Sequence, residues 1–234
     1  MHAASDFPGG LERLQLADWR RRVAELWAAW RTESRRDPAA ATAAFRAAKD
    51  ALFREHPQSP LPPQARAAFA GLAYWPYDPA WRMTVRLEPQ PPATEPSSLS
   101  LDPVPALRAG LESVSLPNSG SETIAFQPIG TVALDGPLAG EQLTVFWIGG
   151  YGGGLFLPFR DATSGAETYG AGRYLLDTIK SADHGGDAAR GELLLDFNMA
   201  YHPSCAYDPR WSCPLAPPEN RLEVAVAAGE RHGG

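Results

Sequence analysis

Leu16, Trp19, Val23, Leu26, Trp27 and Trp30 recur at helical spacing, with Arg20, Arg21, Arg22, Glu25 and Arg31 on the opposite face. This spacing predicts an amphipathic helix over about residues 11–36. Asp37-Pro38 then supplies an N-cap and a first-turn proline. A second helix is expected to about Glu55, with Phe45, Ala48, Leu52 and Phe53 on one face and Pro57 as its stop. A short third helix is expected over Pro63–Ala70, ended by Gly71.

Beyond Gly71 the period changes from helical to two. Trp81, Met83, Val85 and Leu87 alternate with polar residues and predict a strand over 80–88 with one wet face. The Pro- and Ser-rich stretch 89–105 is expected to be a long loop, with a short strand near Leu99–Leu101. Further strands are expected at 111–116, 121–127, 129–135, 141–148, 154–160, 173–178, 192–197 and 221–227, most of them separated by Gly, Pro, Asn or Asp. Residues 183–190 read as an exposed loop. Short strands at close intervals, without long helices between them, predict a mainly β (α+β) protein. The expected architecture is an antiparallel β-barrel or sandwich with two or three N-terminal helices. Residues 1–58 would be a helical segment packed on the β domain of residues 59–232.

Composition narrows the functional classes. Gly (22) and Pro (23) make up nearly one residue in five of the 234, which argues against an all-helical fold. The net charge is −6, and the acidic excess lies beyond residue 58. Nucleic acid is therefore not an expected partner, since counterion release needs a basic face. No apolar run is long enough to span a membrane, and no signal peptide is expected at the N-terminus. These features predict a cytoplasmic protein. Lys49 and Lys180 are the only lysines; every other basic residue is arginine.

Two stretches carry a recognisable pattern. One runs from Leu155 to Leu175 through Pro158-Phe159-Arg160-Asp161, Thr163-Ser164-Gly165 and Glu167-Thr168-Tyr169-Gly170-Ala171-Gly172-Arg173-Tyr174. The other runs through Leu195-Asp196-Phe197-Asn198-Met199-Ala200-Tyr201-His202-Pro203-Ser204-Cys205, Trp211-Ser212-Cys213-Pro214 and Pro218-Glu219-Asn220-Arg221 to Ala228-Gly229-Glu230. Lys49-Asp50, Ser59-Pro60-Leu61 and Phe69-Ala70-Gly71-Leu72 extend the likeness upstream. Over about residues 45–231 the chain resembles the bacterial and archaeal family called domain of unknown function 1684. Where the family usually carries Asn before the Pro of the second stretch, this chain has His202. The resemblance implies membership, and it implies no substrate or cofactor.

The chemistry must be read from the residues. Arg160 and Arg173 sit at the ends of expected strands and would clamp a carboxylate or phosphate; equally, Arg–Asp pairing would hold the turn between them. Asp196 and Asn198 would share one side of their strand. They would supply a general base and a pocket wall, or tie down the irregular segment that follows. Cys205 and Cys213 lack Cys-x-x-Cys spacing and read as buried thiols, a disulfide, metal ligands with His202 and Asp196, or a nucleophile beside His202. No metal site and no cofactor is assigned. The glycine run 149–154 matches neither a phosphate-binding loop nor a dinucleotide fingerprint.

The leading expectation is a small, anionic molecule bound in a polar pocket of the β domain. An enzymatic version uses Asp196 as base with Arg160 and Arg173 as stabilisers, and places ligand contacts at Asp161, Thr168, Tyr169, Asn198, Tyr201 and Asn220. The alternative is a structural or protein-interaction module. Oligomeric state is not readable from the sequence.

Overall fold

The computed structural model describes residues 9–90, 114–116, 124–149 and 152–233. The expected short strand near 99–101 falls outside them, as do parts of the expected strands 111–116 and 121–127.

Helix α1 (Gly10–Glu33) and helix α2 (Pro38–Glu55) form a hairpin. Asp37 caps α2 by accepting from the Ala40 amide at 3.0 Å, with Pro38 at the first helical position. Helix α3 is Pro63–Ala67, shorter than expected.

The sheet is antiparallel throughout and mostly one curled layer, a half-barrel rather than a closed barrel or a two-sheet sandwich. Its strands are β2 (Arg82–Pro89), β4 (Ile124–Ala133), β5 (Gln142–Ile148), β6 (Gly154–Phe159), β7 (Arg173–Asp177), β8 (Gly186–Asp187) and β9 (Glu192–Asp196). They run in the order β7-β6-β5-β4-β2-β9-β8, with β3 (Val114–Leu116) on β4. A separate pair joins β1 (Ala73–Tyr74) to β10 (Glu230–Arg231).

Alternation places Met83 and Val85 of β2, Val132 of β4, Val145 of β5, Leu157 of β6 and Leu195 of β9 in one core. The other face of β5–β7 buries Phe146, Phe156 and Tyr174 against Cys205 and Cys213. Strand β7 is therefore buried along its whole length. The helical hairpin docks Trp27, Trp30 and Ala41 onto Ala182 and Met199, forming the third cluster.

Three expectations need correction. The strands expected at 121–127 and 129–135 are one strand, β4, whose register shifts between Pro128 and Gly130. Proline cannot donate to a ladder, and a bulge lets the strand bend there. A Cβ on Gly130 would lie 2.3 Å from the Glu88 carbonyl oxygen, so the bend also needs glycine. Second, 221–227 is not a strand beyond one bridge between Arg221 and Arg160. Leu222, Val226 and Ala228 are buried in the core while Val224 is exposed. Residues 220–224 bond to the backbone of 160–162, and beyond them side chains replace the partner strand. The Val226 amide donates to Asp161 Oδ2 at 3.1 Å, and Arg173 donates to the carbonyls of Val226 and Ala228. Third, the stretch 183–190 is not wholly exposed. It contributes β8 and buries His184 against Trp27 and Trp30, with ring centroids at 5.4 and 5.1 Å.

Candidate functional site

The catalytic and ligand-contact residues expected from the sequence separate into three clusters and three outliers, Arg160, Tyr169 and Tyr201. In the first cluster, Arg173 is buried and both terminal nitrogens are fully used. Nη1 donates to the carbonyls of Ala228 (2.6 Å) and Glu230 (3.1 Å). Nη2 donates to Asp161 Oδ2 (2.6 Å) and the Val226 carbonyl (2.9 Å). Asp161 Oδ1 accepts from the amide and hydroxyl of Thr163, whose oxygen lies 3.0 Å from that of Thr168. Gly172 precedes Arg173 at φ +101°, and a Cβ there would lie 2.4 Å from the Phe159 carbonyl oxygen. This cluster fastens the C-terminal segment to the end of β6.

The second cluster surrounds Asp196, which is fully buried. Its Oδ2 accepts from Arg82 at 2.8 Å, and its Oδ1 accepts from the backbone and side-chain amides of Asn198. Asn198 also pairs with the amide and carbonyl of Asp78, at 3.0 and 2.8 Å. Asp196 and Asn198 do face the same side, and they use it to hold the chain before β2.

The third centre is Asn220. Its Oδ1 accepts from the Thr144 amide, and its Nδ2 donates to the carbonyls of Thr144 and Pro158. It thereby stitches β5 to β6 beside a proline that has no amide proton. Arg160 is half-buried at the strand end, with a buried Nε that makes no hydrogen bond among the described residues. Tyr169 donates its backbone amide to His202 Nε2 at 3.2 Å. Burial, then a hydrogen bond with Cys205, pushes its phenol up to about 12. Cys205 and Cys213 are buried thiols without a disulfide, and their mutual hydrogen bond and burial raise the Cys213 thiol well above its usual range. Among the described residues, no group of three or more His, Cys, Asp or Glu is placed to hold a metal ion.

Of the expected ligand contacts, Tyr201 lines the inner cavity that the helical layer encloses; His202, weighed as a partner of the thiols, lines it too, and Cys213 lines the outer chamber. The inner cavity has a volume of about 120 Å³ and lies between the helical hairpin and the 199–207 segment. Its polar wall is built around Glu230, which β10 buries almost completely. Four donors converge on this carboxylate. Lys49 Nζ (2.9 Å) and the His202 amide (3.4 Å) reach Oε2. The Tyr207 hydroxyl and His202 Nδ1 (3.4 Å) reach Oε1. Because Nε2 of His202 accepts from Tyr169, its Nδ1 is assigned the proton. Burial opposes the charge on Glu230, but the Lys49 ammonium, followed by His202 and Tyr207, outweighs it and holds the carboxyl down to about 2.

Lys49 itself has donors to spare. One N–H meets Glu230; the other close neighbours are the ring faces of Tyr201 (5.2 Å) and Phe53 (5.3 Å). An ammonium carries three donors, so two lack an oxygen acceptor among the described residues. An outer chamber of about 270 Å³ shares Trp19, Val23, Pro60, Lys180 and Ser204 with the inner one. Lys180 stands at this junction, 3.3 Å from Asp177, with its side chain 60% exposed. A larger groove of about 630 Å³ lies outside, between α1 and α2. It mixes Asp18, Glu25 and Glu55 with Arg22 and is the more open to solvent.

Sequence reasoning passed over Lys49, His202, Tyr207 and Glu230 as a group. The available signal was the pair of lone lysines in an arginine-rich chain: both line the inner cavity.

Fold and cavity together define a helix-capped antiparallel half-barrel with an internal chamber under the cap. The family model described as "Protein of unknown function (DUF1684)" matches residues 67–231, and the chain belongs to this family. A solved structure similar to it is the NMR structure of an uncharacterised protein of Haloarcula marismortui. That protein is 36% identical, with a TM-score of 0.55, and the match covers 86% of this chain and 97% of the other. No curated protein matches. No helix among the described residues is long and apolar enough to cross a membrane.

Proposed function

We propose that this protein binds a small anionic molecule in the two joined chambers between the helical hairpin and the curled sheet. One observation carries the reading. In a chain of net charge −6, the Lys and Arg side chains that line the chambers are Lys49 in the inner one, Arg20 in the outer one and Lys180 in both; among the described residues no Asp or Glu lines either. A concave, largely apolar chamber with a few convergent cations selects an anion with an apolar body. Glu230 neutralises Lys49 from behind and Asp177 pairs with Lys180 at 3.3 Å, so the net attraction comes from Arg20 toward the mouth, with the 60% exposed Lys180 ammonium adding to it when it turns to the ligand. The polar clusters at Arg173, Asp196 and Asn220 serve to position the walls, and none of these three residues lines the chambers.

Matched pairs of ligands test the sign of the charge. Benzoate against benzylamine, and butyrate against butylamine, are compared by thermal denaturation. At a hundredfold excess over Kd a single-site ligand stabilises by about 2.7 kcal/mol. For a chain of this size that is a rise of roughly 5–10 °C. The acids are expected to raise Tm and the amines to leave it unchanged, with the acid effect reduced in Lys180→Met. Equal effects of acid and amine, or none up to millimolar concentration, would overturn the proposal.

A further inference from the structure

Resting on that reading, the chamber walls narrow the ligand further. The inner cavity is lined by six aromatic side chains: Trp19, Trp27, Phe45, Phe53, Tyr201 and Tyr207. Their rings are tilted against one another, Trp27 on Phe45 at 4.7 Å and 53°, and Trp19 on Phe53 at 6.0 Å and 44°. Such walls offer both faces and edges to a flat guest, the arrangements aromatic pairs prefer. The volume of about 120 Å³ is close to that of apolar protein cavities of about 150 Å³ that hold one benzene. It has room for one ring and none for two.

The polar groups set the guest's direction. A carboxylate pushed to the inner end would lie beside Glu230, whose four donors are already engaged, and would be repelled by it. The two remaining Lys49 donors therefore suit a neutral oxygen. The guest's negative charge belongs at the junction, where Lys180 faces both chambers and Arg20 lines the outer one.

We propose that the ligand is a single-ring aromatic acid. Its ring lies in the inner cavity, its carboxylate meets Lys180 and Arg20, and a ring hydroxyl or carbonyl oxygen at the far end accepts from Lys49.

Calorimetric titration of the full chain with four probes tests this: 4-hydroxybenzoate, benzoate, cyclohexanecarboxylate and phenol. The expected order is 4-hydroxybenzoate tighter than benzoate, with cyclohexanecarboxylate about tenfold weaker than benzoate. Lys180→Met is expected to weaken both aromatic acids by about threefold to tenfold and to leave phenol unchanged. Because Lys180 also pairs with the buried Asp177, the exposed Arg20→Met serves as a second variant with the same expected pattern. Cyclohexanecarboxylate binding as tightly as benzoate would overturn the aromatic inference and leave the anion reading standing. Phenol binding as tightly as benzoate, with the acids indifferent to Lys180→Met, would remove the anion reading and keep the aromatic one. Binding by none of the four would remove both.

Discussion

Glu230 stays ionised inside the molecule because four donors meet it, and that makes it a measurable contributor to stability. Its carboxyl is lowered from 4.5 to about 2. A group depressed in the fold stabilises above its unfolded pKa, and the contribution is lost as pH falls through the folded value. The window is therefore about pH 4.5 to 2, and the size is about 3 kcal/mol. His184 acts in a different window. Burial, then the charges of Arg82 and Arg31, lowers its imidazole to about 3, so its contribution fades from about pH 6.5 downward. Denaturant unfolding of wild type and Glu230→Gln at pH 7, 5, 4 and 3 separates them. The loss above pH 5 should be shared by both proteins, and the loss below pH 4.5 should be smaller in Glu230→Gln. Parallel curves down to pH 3 would remove the buried-carboxylate account. At this scale the sequence made an Arg–Asp pair at the 160–173 turn and the shared side of Asp196 and Asn198 readable, because those residues are close along the chain; that the pair is Asp161 with Arg173 rather than with Arg160 came from the structure. The Glu230 group was not readable: Lys49 is 181 residues away, and His202 and Tyr207 are 28 and 23 away.

Hydrophobic period predicted the elements well where each is held by its own backbone ladder. Helices α1 and α2, the Asp37 cap and strands β2, β5, β6, β7 and β9 all lie where alternation or helical spacing puts them. It misled where side chains act as the ladder. Leu222, Val226 and Ala228 are buried but Val224 between them is exposed, and Arg173 and Asp161 bind the 226–230 backbone in place of a strand. Asn220 does the same work between β5 and β6, and a single substitution tests it. Asn220→Ala leaves the Thr144 amide and two carbonyls without their partner, each costing on the order of 1–3 kcal/mol when buried. A loss of about 3 kcal/mol in denaturant unfolding is expected. A change under about 0.5 kcal/mol would mean that water replaces the amide without cost.

For the whole molecule, the curl of the sheet leaves one flank that the helical hairpin covers, and the chambers exist because that cover is imperfect. Lys49 reaches Glu230 from α2, Arg46 of α2 reaches the carbonyls of Trp75 and Asn198, and Arg31 of α1 reaches the Asp183 carbonyl. These contacts tie the cap to the sheet while Trp19 and Trp27 of α1 stand over the cavity. Antiparallel β architecture with N-terminal helices was legible from strand spacing. The open half-barrel was not, since spacing does not say whether a sheet closes. Nor was the position of the chamber, which arises between segments that meet only on folding. Chemical-shift mapping of the isotope-labelled chain on adding benzoate tests the central claim most directly. The account predicts shifts at the indole N–H groups of Trp19 and Trp27 and at Lys180, with Arg173 and Asn220 unmoved. Shifts centred on Arg160, Asp161 and Arg173, with both indoles unmoved, would contradict it.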